Sequence, residues 1–250
     1  MIRPPHLLFC LLAALLATGA ARAGETRVAV ASNFLDTARE LAARFEKRSG
    51  HRLLLSSASS GKLYAQIRNG APFDLFLSAD AERPQRLVEA GLADTGHLRT
   101  YAVGRLVFWA PGHPGDAGAC RRHLEGLKRL AMANPRTAPY GAAAREVLEA
   151  LGRDPASLRL VLGENIAQAY SFVASGGVEG GFVAAAQLAR RDPPPPGCRW
   201  PVPESLHPPL RQQLVLLRRG RANPAALAFF DFLAGEEARE AIRRSGYDLP

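Results

Sequence analysis

Apolar positions follow two rhythms along this chain, and the rhythms take turns. Short, nearly continuous apolar runs are each followed by a longer segment with apolar residues every three or four positions, the pattern of a strand and then a helix. The runs predict strands over Arg27–Ala31, Arg52–Ser56, Asp74–Ser78, Leu106–Ala110, Arg129–Ala133, Arg159–Leu162, Gly181–Val183 and Gln212–Leu217. The longer segments predict helices over Leu35–Ser49, Leu63–Asn69, Pro84–Ala90, Cys120–Leu127, Gly141–Leu151, Ile166–Ser175, Ala184–Arg190, Pro224–Leu233 and Glu236–Ser245. Gly50 and Gly91 read as helix stops. Alternation of this kind indicates an α/β protein, and it suits two similar lobes with a ligand between them. Pro193 to Pro196, followed by Gly197, fit neither a helix interior nor a central strand and read as a surface loop. No internal sequence repeat is found, and periodicity leaves open whether the chain crosses between lobes twice.

The junctions between strand and helix carry the candidate chemistry. Val28-Ala29-Val30-Ala31 ends on Ser32-Asn33, and Leu53-Leu54-Leu55 ends on Ser56-Ser57-Ala58-Ser59-Ser60-Gly61-Lys62. A helix start has free N–H groups and partial positive charge, so it favours anions. Two such starts side by side would hold an oxyanion without a cationic side chain. Asn134 to Gly141 and Gly163-Glu164-Asn165-Ile166 form a third and a fourth junction. Taken singly, either is an ordinary helix cap; together they would bring backbone donors from a second lobe. All four fall at the carboxyl ends of strands, where open α/β sheets bind ligands.

Other chemistries find less support. Ser59-Ser60-Gly61-Lys62 resembles the end of a phosphate-binding P-loop, but Ser56 and Leu63 stand where that loop needs Gly and Ser or Thr. There is no Gly-x-Ser-x-Gly elbow and no His-Glu-x-x-His pair. His51, His97, His113, His123 and His207 are scattered and read as surface residues. Asp74 and Asp80 flank a strand like a carboxylate pair, although Asp80 is placed to cap a helix.

The 250 residues and 47% hydrophobic content allow one large domain or two small ones. Residues 1–23 differ from the rest: a basic start at Arg3, an apolar run from Leu7 to Ala17, then Ala21-Arg22-Ala23, which together read as a cleavable signal peptide. Phe9 before Cys10 lacks the small side chain of a lipoprotein signal. Loss of Arg3 and Arg22 with the leader lowers the formal charge from +9 to +7. The basic residues are interspersed with acids on helices, which argues for solvated faces with modest anion steering and against nucleic acid. Cys120 and Cys198 remain; in an oxidising compartment they would pair, but the sequence leaves the bond open.

Several of these stretches resemble one family. Ala31-Ser32-Asn33-Phe34, Ser59-Ser60-Gly61-Lys62, Tyr64-Ala65-Gln66-Ile67, the block Gly70 to Asp80, Ala138-Pro139-Tyr140-Gly141 and Gly181-Phe182-Val183-Ala184 are similar to the periplasmic molybdate-binding proteins of ABC transporters. The resemblance covers essentially all of the chain after the leader. It implies a type II periplasmic-binding-protein fold, with lobe I at residues 24–105 and 206–250, lobe II at 106–205, and the ligand in a hinged cleft. It implies a tetrahedral oxyanion, molybdate or tungstate, held by neutral donors from Ser32, Asn33, Ser60, Tyr140 and Ile166, with no cofactor, no catalytic residue and no direct protein ligand to the metal. One branch of the family carries a Tyr ligand after the Gly-Phe-Val strand; here that position is Ala184, so the donor set is that of the branch using Asn33 and Tyr140. The implied protein is a periplasmic monomer that meets the membrane only through its transporter permease. The alternatives are the same fold binding another oxyanion such as sulfate or phosphate, a sensory binding module, and an exported α/β hydrolase or transferase, for which Ser32 and Ser60 lack a nearby His in sequence.

Overall fold

The computed structural model describes residues 23–250. Residues 1–22, and with them nearly all of the expected leader, lie outside the described residues. Two five-stranded sheets share one strand order. The first contains β1 (Glu25–Ala31), β2 (Arg52–Ala58), β3 (Leu75–Leu77), β4 (Ala93–Gly104) and β10 (Leu210–Leu217), ordered β2-β1-β3-β10-β4. The second contains β5 (Leu106–Ala110), β6 (Arg129–Ala133), β7 (Arg159–Gly163), β8 (Gly181–Ala184) and β9 (Cys198–Pro201), ordered β7-β6-β8-β5-β9. In each sheet the first three strands are parallel and the last two pairings are antiparallel. The chain passes to the second sheet at Arg105 and returns between Pro201 and Leu210, so it crosses twice.

Helices cover both faces of each sheet, which is why the central strands are apolar without alternation. Val28 and Val30 of β1 face Leu41 and Phe45 of α1 (Leu35–Ser49) and Phe229 of α8 (Pro224–Phe232), with α9 (Glu236–Arg244) alongside. Ala29, between them, faces Leu63 and Ile67 of α2 (Ser60–Arg68) and Leu87 of α3 (Glu82–Glu89). In the second sheet Phe108, Met132 and Phe182 pack on α4 (Ala117–Gly126) and α5 (Pro139–Ala150). Trp109, Ala131 and Val183 face Val173 of α6 (Ile166–Ala174), and α7 (Ala185–Ala189) follows β8 directly.

Two strands, β4 and β9, escape the apolar pattern, and both are sheet edges. An edge strand can leave one face and one backbone side in water, so β4 carries Asp94, His97 and Arg99, and β9 ends on Pro201. Helix α2 starts at Ser60, three residues before the expected Leu63, because the Ser59 side chain accepts from the Lys62 N–H and closes the first turn early. Helix α5 likewise starts at Pro139, whose missing N–H costs nothing at a first helical position. His207 is not a surface residue: it is 7% exposed on the return crossing, its Nδ1 2.8 Å from the Pro208 carbonyl. Pro193, Pro194 and Pro196 are exposed, as a surface loop requires. Among the described residues no helix is long and apolar enough to cross a membrane.

Cys120 on α4 and Cys198 on β9 form a disulfide, with Cα atoms 5.4 Å apart and a sequence separation of 78. It fastens the edge strand β9 to a helix. Replacing both cysteines with Ser is expected to lower unfolding free energy by about 2–5 kcal/mol, measured by denaturant titration.

Candidate functional site

Five strand-to-helix junctions meet around one small cavity. Its lining comprises Ala31, Ser32 and Asn33 after β1; Ser59 and Ser60 after β2; Ala79 after β3; Ala138, Pro139 and Tyr140 after β6; and Ile166 after β7. All five residues expected to hold an anion are therefore brought together, three from the first sheet's side and two from the second's. No lining residue is charged.

The hydrogen bonds of each junction decide which donors are left for a ligand. After β1 the chain makes a 3-10 turn, Ser32–Phe34, before α1, with no side-chain cap, and the Ser32 hydroxyl has no partner among the described residues. At α2 the Lys62 N–H is taken by Ser59 Oγ and the Gly61 N–H by the Thr137 carbonyl, 2.8 Å away. That leaves the Ser60 N–H. The Ser60 hydroxyl oxygen accepts from the Ala79 N–H at 2.9 Å, so its hydrogen is free to point elsewhere. At α5 Pro139 has no N–H and the Gly141 N–H is bonded to the Ala138 carbonyl, so the Tyr140 N–H is left. At α6 Asn165 Oδ1 takes the N–H groups of Ala167 and Gln168, which leaves that of Ile166. Each cap consumes its neighbours and spares a donor that lines the cavity.

Asn33 departs from this pattern. Its side-chain amide donates to Gln212 Oε1 at 2.9 Å and to Tyr247 Oη at 3.2 Å, and both hydrogens are thereby engaged within the protein. Its backbone, and not its side chain, is what it has to offer a ligand. The position following the Gly-Phe-Val strand, Ala184, is fully buried and does not line the cavity; its N–H is held by Gln187 Oε1, whose amide in turn donates to the Ile166 carbonyl.

Contacts between the two halves bracket the cavity. Besides the Gly61–Thr137 bond, Lys62 Nζ pairs with Glu164 at 2.6 Å, both side chains largely exposed. On another side Arg190 of the second half reaches Glu40 at 2.7 Å and Ser245 Oγ at 2.8 Å. Burial pushes the Glu40 carboxyl up, but Arg190 and Arg44 outweigh it and hold the group below its usual range. Thr137 and Glu164 fall within the third and fourth junctions, but no sequence signal marked them or Arg190 as contacts, because that role lies in what the other half places opposite them.

The other candidates resolve as structure. Asp74 and Asp80 stand at opposite ends of β3 and do not pair. Asp74 is a buried acceptor for Thr26, Arg27 and Asn223, while Asp80 accepts from the Arg83 N–H and pairs with its guanidinium, as a helix-start carboxylate does. His113 and His123 stack with centroids 4.1 Å apart, away from the cavity; burial, then the neighbouring His113, pulls the His123 ring's pKa down. Among the described residues no group of three or more His, Cys, Asp or Glu is arranged to hold a metal ion.

Comparison with known proteins adds a family to this geometry. The family model described as bacterial extracellular solute-binding protein matches residues 26–248. A molybdate-binding protein ModA of Azotobacter vinelandii is 46% identical over 233 residues, 92% of each chain. One from Rhodobacter capsulatus is 45% identical over 230 residues, 91% of this chain and 89% of the other. The solved structure of an Azotobacter vinelandii periplasmic molybdate-binding protein superposes with a TM-score of 0.84 at 39% identity, covering 90% of this chain and 99% of that one. Two matched sheets, a cavity at the carboxyl ends of their parallel strands and a family match along nearly the whole described chain converge: this protein belongs to the bacterial extracellular solute-binding proteins.

Proposed function

We propose that the chain is the extracytoplasmic binding component of an ABC importer, and that it captures molybdate or tungstate as a fully ionised tetrahedral anion. One observation carries the reading: an uncharged cavity into which both halves of the molecule direct donors that their own helix caps leave unspent. The molybdate-binding relatives named above supply the identity of the anion. Ser32, Asn33, Ser60, Tyr140 and Ile166 are the proposed ligand residues, acting as hydrogen-bond donors and not as nucleophiles or metal ligands. In this reading residues 24–105 with 206–250 move as one lobe and 106–205 as the other, residues 1–23 direct export, and the protein acts as a periplasmic monomer that docks on a permease without a cofactor.

The energetics are adequate. A hydrogen bond to a charged group contributes about 1.5–3 kcal/mol, so roughly six give about 9–18 kcal/mol gross. Micromolar to nanomolar binding needs about 8–12 kcal/mol, and the surplus offsets dehydration of the anion and ordering of the lobes. Donors fixed by backbone prefer an anion with no proton of its own. Because they come from both sides, only the closed arrangement satisfies every oxygen.

Calorimetric titration of the protein lacking residues 1–23 tests the reading. Tight one-to-one binding of molybdate and tungstate, with sulfate and phosphate weak, is the expected result. Absence of heat with molybdate and tungstate from folded, anion-free protein would overturn it. In the same assay Ser60→Ala is expected to weaken molybdate binding about 10- to 150-fold, from loss of one charge-assisted bond.

A further inference from the structure

Gln212 lies on the interior strand β10, completely buried, where an amide costs free energy unless it is bonded. Its bonds lead toward three of the proposed ligand residues. Oε1 accepts from the side-chain amide of Asn33 at 2.9 Å. Asn33 is clamped a second time, since Tyr247 Oη donates to its backbone carbonyl at 2.7 Å and accepts from its Nδ2. From the other end of the same amide, Nε2 donates to the Tyr140 hydroxyl, 3.2 Å away in the opposite half of the molecule.

The third branch passes through Tyr101. Its hydroxyl lies 3.1 Å from Gln212 Oε1 and 3.2 Å from the Ser78 carbonyl, and shares its one proton between them. The peptide group that holds this carbonyl also holds the Ala79 N–H, which donates to Ser60 Oγ. Tyr101 thus ties Gln212 to the Ser78–Ala79 peptide, whose N–H supports the Ser60 oxygen and leaves the Ser60 hydroxyl hydrogen for the anion. Burial pushes the hydroxyls of Tyr101, Tyr140 and Tyr247 well above the usual phenol range, which keeps all three neutral. Gly104, at the crossing between sheets, is part of the arrangement. A Cβ there would overlap Tyr140 Oη and stand 2.7 Å from Gln212 Nε2, so only glycine lets the two halves join at this bond.

We propose that Gln212 is a positioning residue for anion capture: one buried amide that sets Asn33 and Ser60 on one side of the cleft and Tyr140 on the other. It touches no ligand. The proposal rests on the oxyanion reading given above and adds the device that aligns its donors.

A double-mutant cycle on molybdate affinity tests it. Gln212→Met, close in size but without the amide, is expected to weaken binding roughly 10- to 100-fold, because it removes three bonds of ordinary strength. Tyr140→Phe keeps the backbone N–H and is expected to weaken binding about 2- to 10-fold in the wild-type background. In the Gln212→Met background it should have no further effect. Binding by Gln212→Met within twofold of wild type, or additive effects of the two changes, would overturn the proposal. Gln212→Glu adds a readout that bulk stability does not move: a buried carboxyl mimics the amide when protonated and repels an anion when charged. Its affinity should fall as pH rises from about 6 to 8 while the wild type stays level, and a flat profile counts against the proposal. Should Gln212→Met not fold, Tyr101→Phe combined with Tyr140→Phe replaces it, since both hydroxyls bond to the Gln212 amide and their effects should be non-additive. Hydrogen exchange without ligand separates this inference from the choice of anion. Gln212→Met should speed exchange around Asn33 and Ala79 whether or not the wild type binds molybdate, and unchanged exchange there would sink the proposal alone.

Discussion

Gly61→Ala is expected to weaken molybdate binding about 5- to 150-fold, with the melting temperature of the ligand-free protein unchanged or slightly raised. Gly61 sits in the first turn of α2, and its N–H meets the Thr137 carbonyl of the other half. A Cβ on Gly61 would stand 2.8 Å from that oxygen and 2.9 Å from Thr137 Cα, and both are backbone atoms that cannot swing aside. Overpacking of this kind costs about 1–3 kcal/mol, the origin of the fold-change. The cost falls only on the closed arrangement, because Thr137 lies across the cleft. Within the helix, alanine is the better residue by about 1 kcal/mol. Calorimetry paired with thermal melts therefore separates the two effects, and a parallel loss of affinity and stability would mean that the contact belongs to the fold and not to closure.

Asp74→Ala is expected to produce the opposite split, an unfolding free energy lower by about 3 kcal/mol with little change in anion affinity. Asp74 is 4% exposed. Its carboxylate accepts from the Thr26 hydroxyl at 3.2 Å, the Arg27 N–H at 2.9 Å and the Asn223 amide at 3.3 Å, with Arg219 3.4 Å away. It thus ties β1 and β3 to the start of α8, at the far end of the strands from the cavity. Orphaning a buried donor costs about 1–3 kcal/mol, and water re-satisfies some of the three. For a chain of this size the loss corresponds to a melting temperature lower by about 6–12 °C. A drop under about 2 °C would show that solvent replaces the carboxylate fully.

The contrast between these residues shows what the sequence can reveal. Central strands and helices announce themselves because burial on one or both faces repeats at a fixed period. Residues Leu35–Ser49, for instance, form a helix with the expected bounds, ended by Gly50. The edge strands β4 and β9 do not announce themselves, because half of each is free to be polar. The cavity was legible as four strand-to-helix junctions rich in small and hydroxyl residues. Its closure was not: Thr137, Glu164 and Arg190 act through partners roughly 76, 102 and 150 positions away, and nothing local marks that pairing, although the first two lie within the third and fourth junctions. Gln212 stood in plain view as a polar residue at the head of the apolar run Leu214–Leu217, but a strand start is an ordinary place for glutamine. Only the three-dimensional partners turn it from a boundary residue into a hub.

The double crossing also sets an order of assembly. Every strand of the second sheet lies in one continuous stretch, Leu106–Pro201, whereas the first sheet needs β10, more than a hundred residues after β4, to join β3 to β4. A chain emerging from its amino end can complete the second sheet while the first still has a gap between β3 and β4. The part of the molecule made first is therefore finished last, and the facing edges of β3 and β4 stay unpaired until the carboxyl-terminal segment arrives. That interval is when the nascent protein is most open to mispairing, and it ends with the strand that carries Gln212.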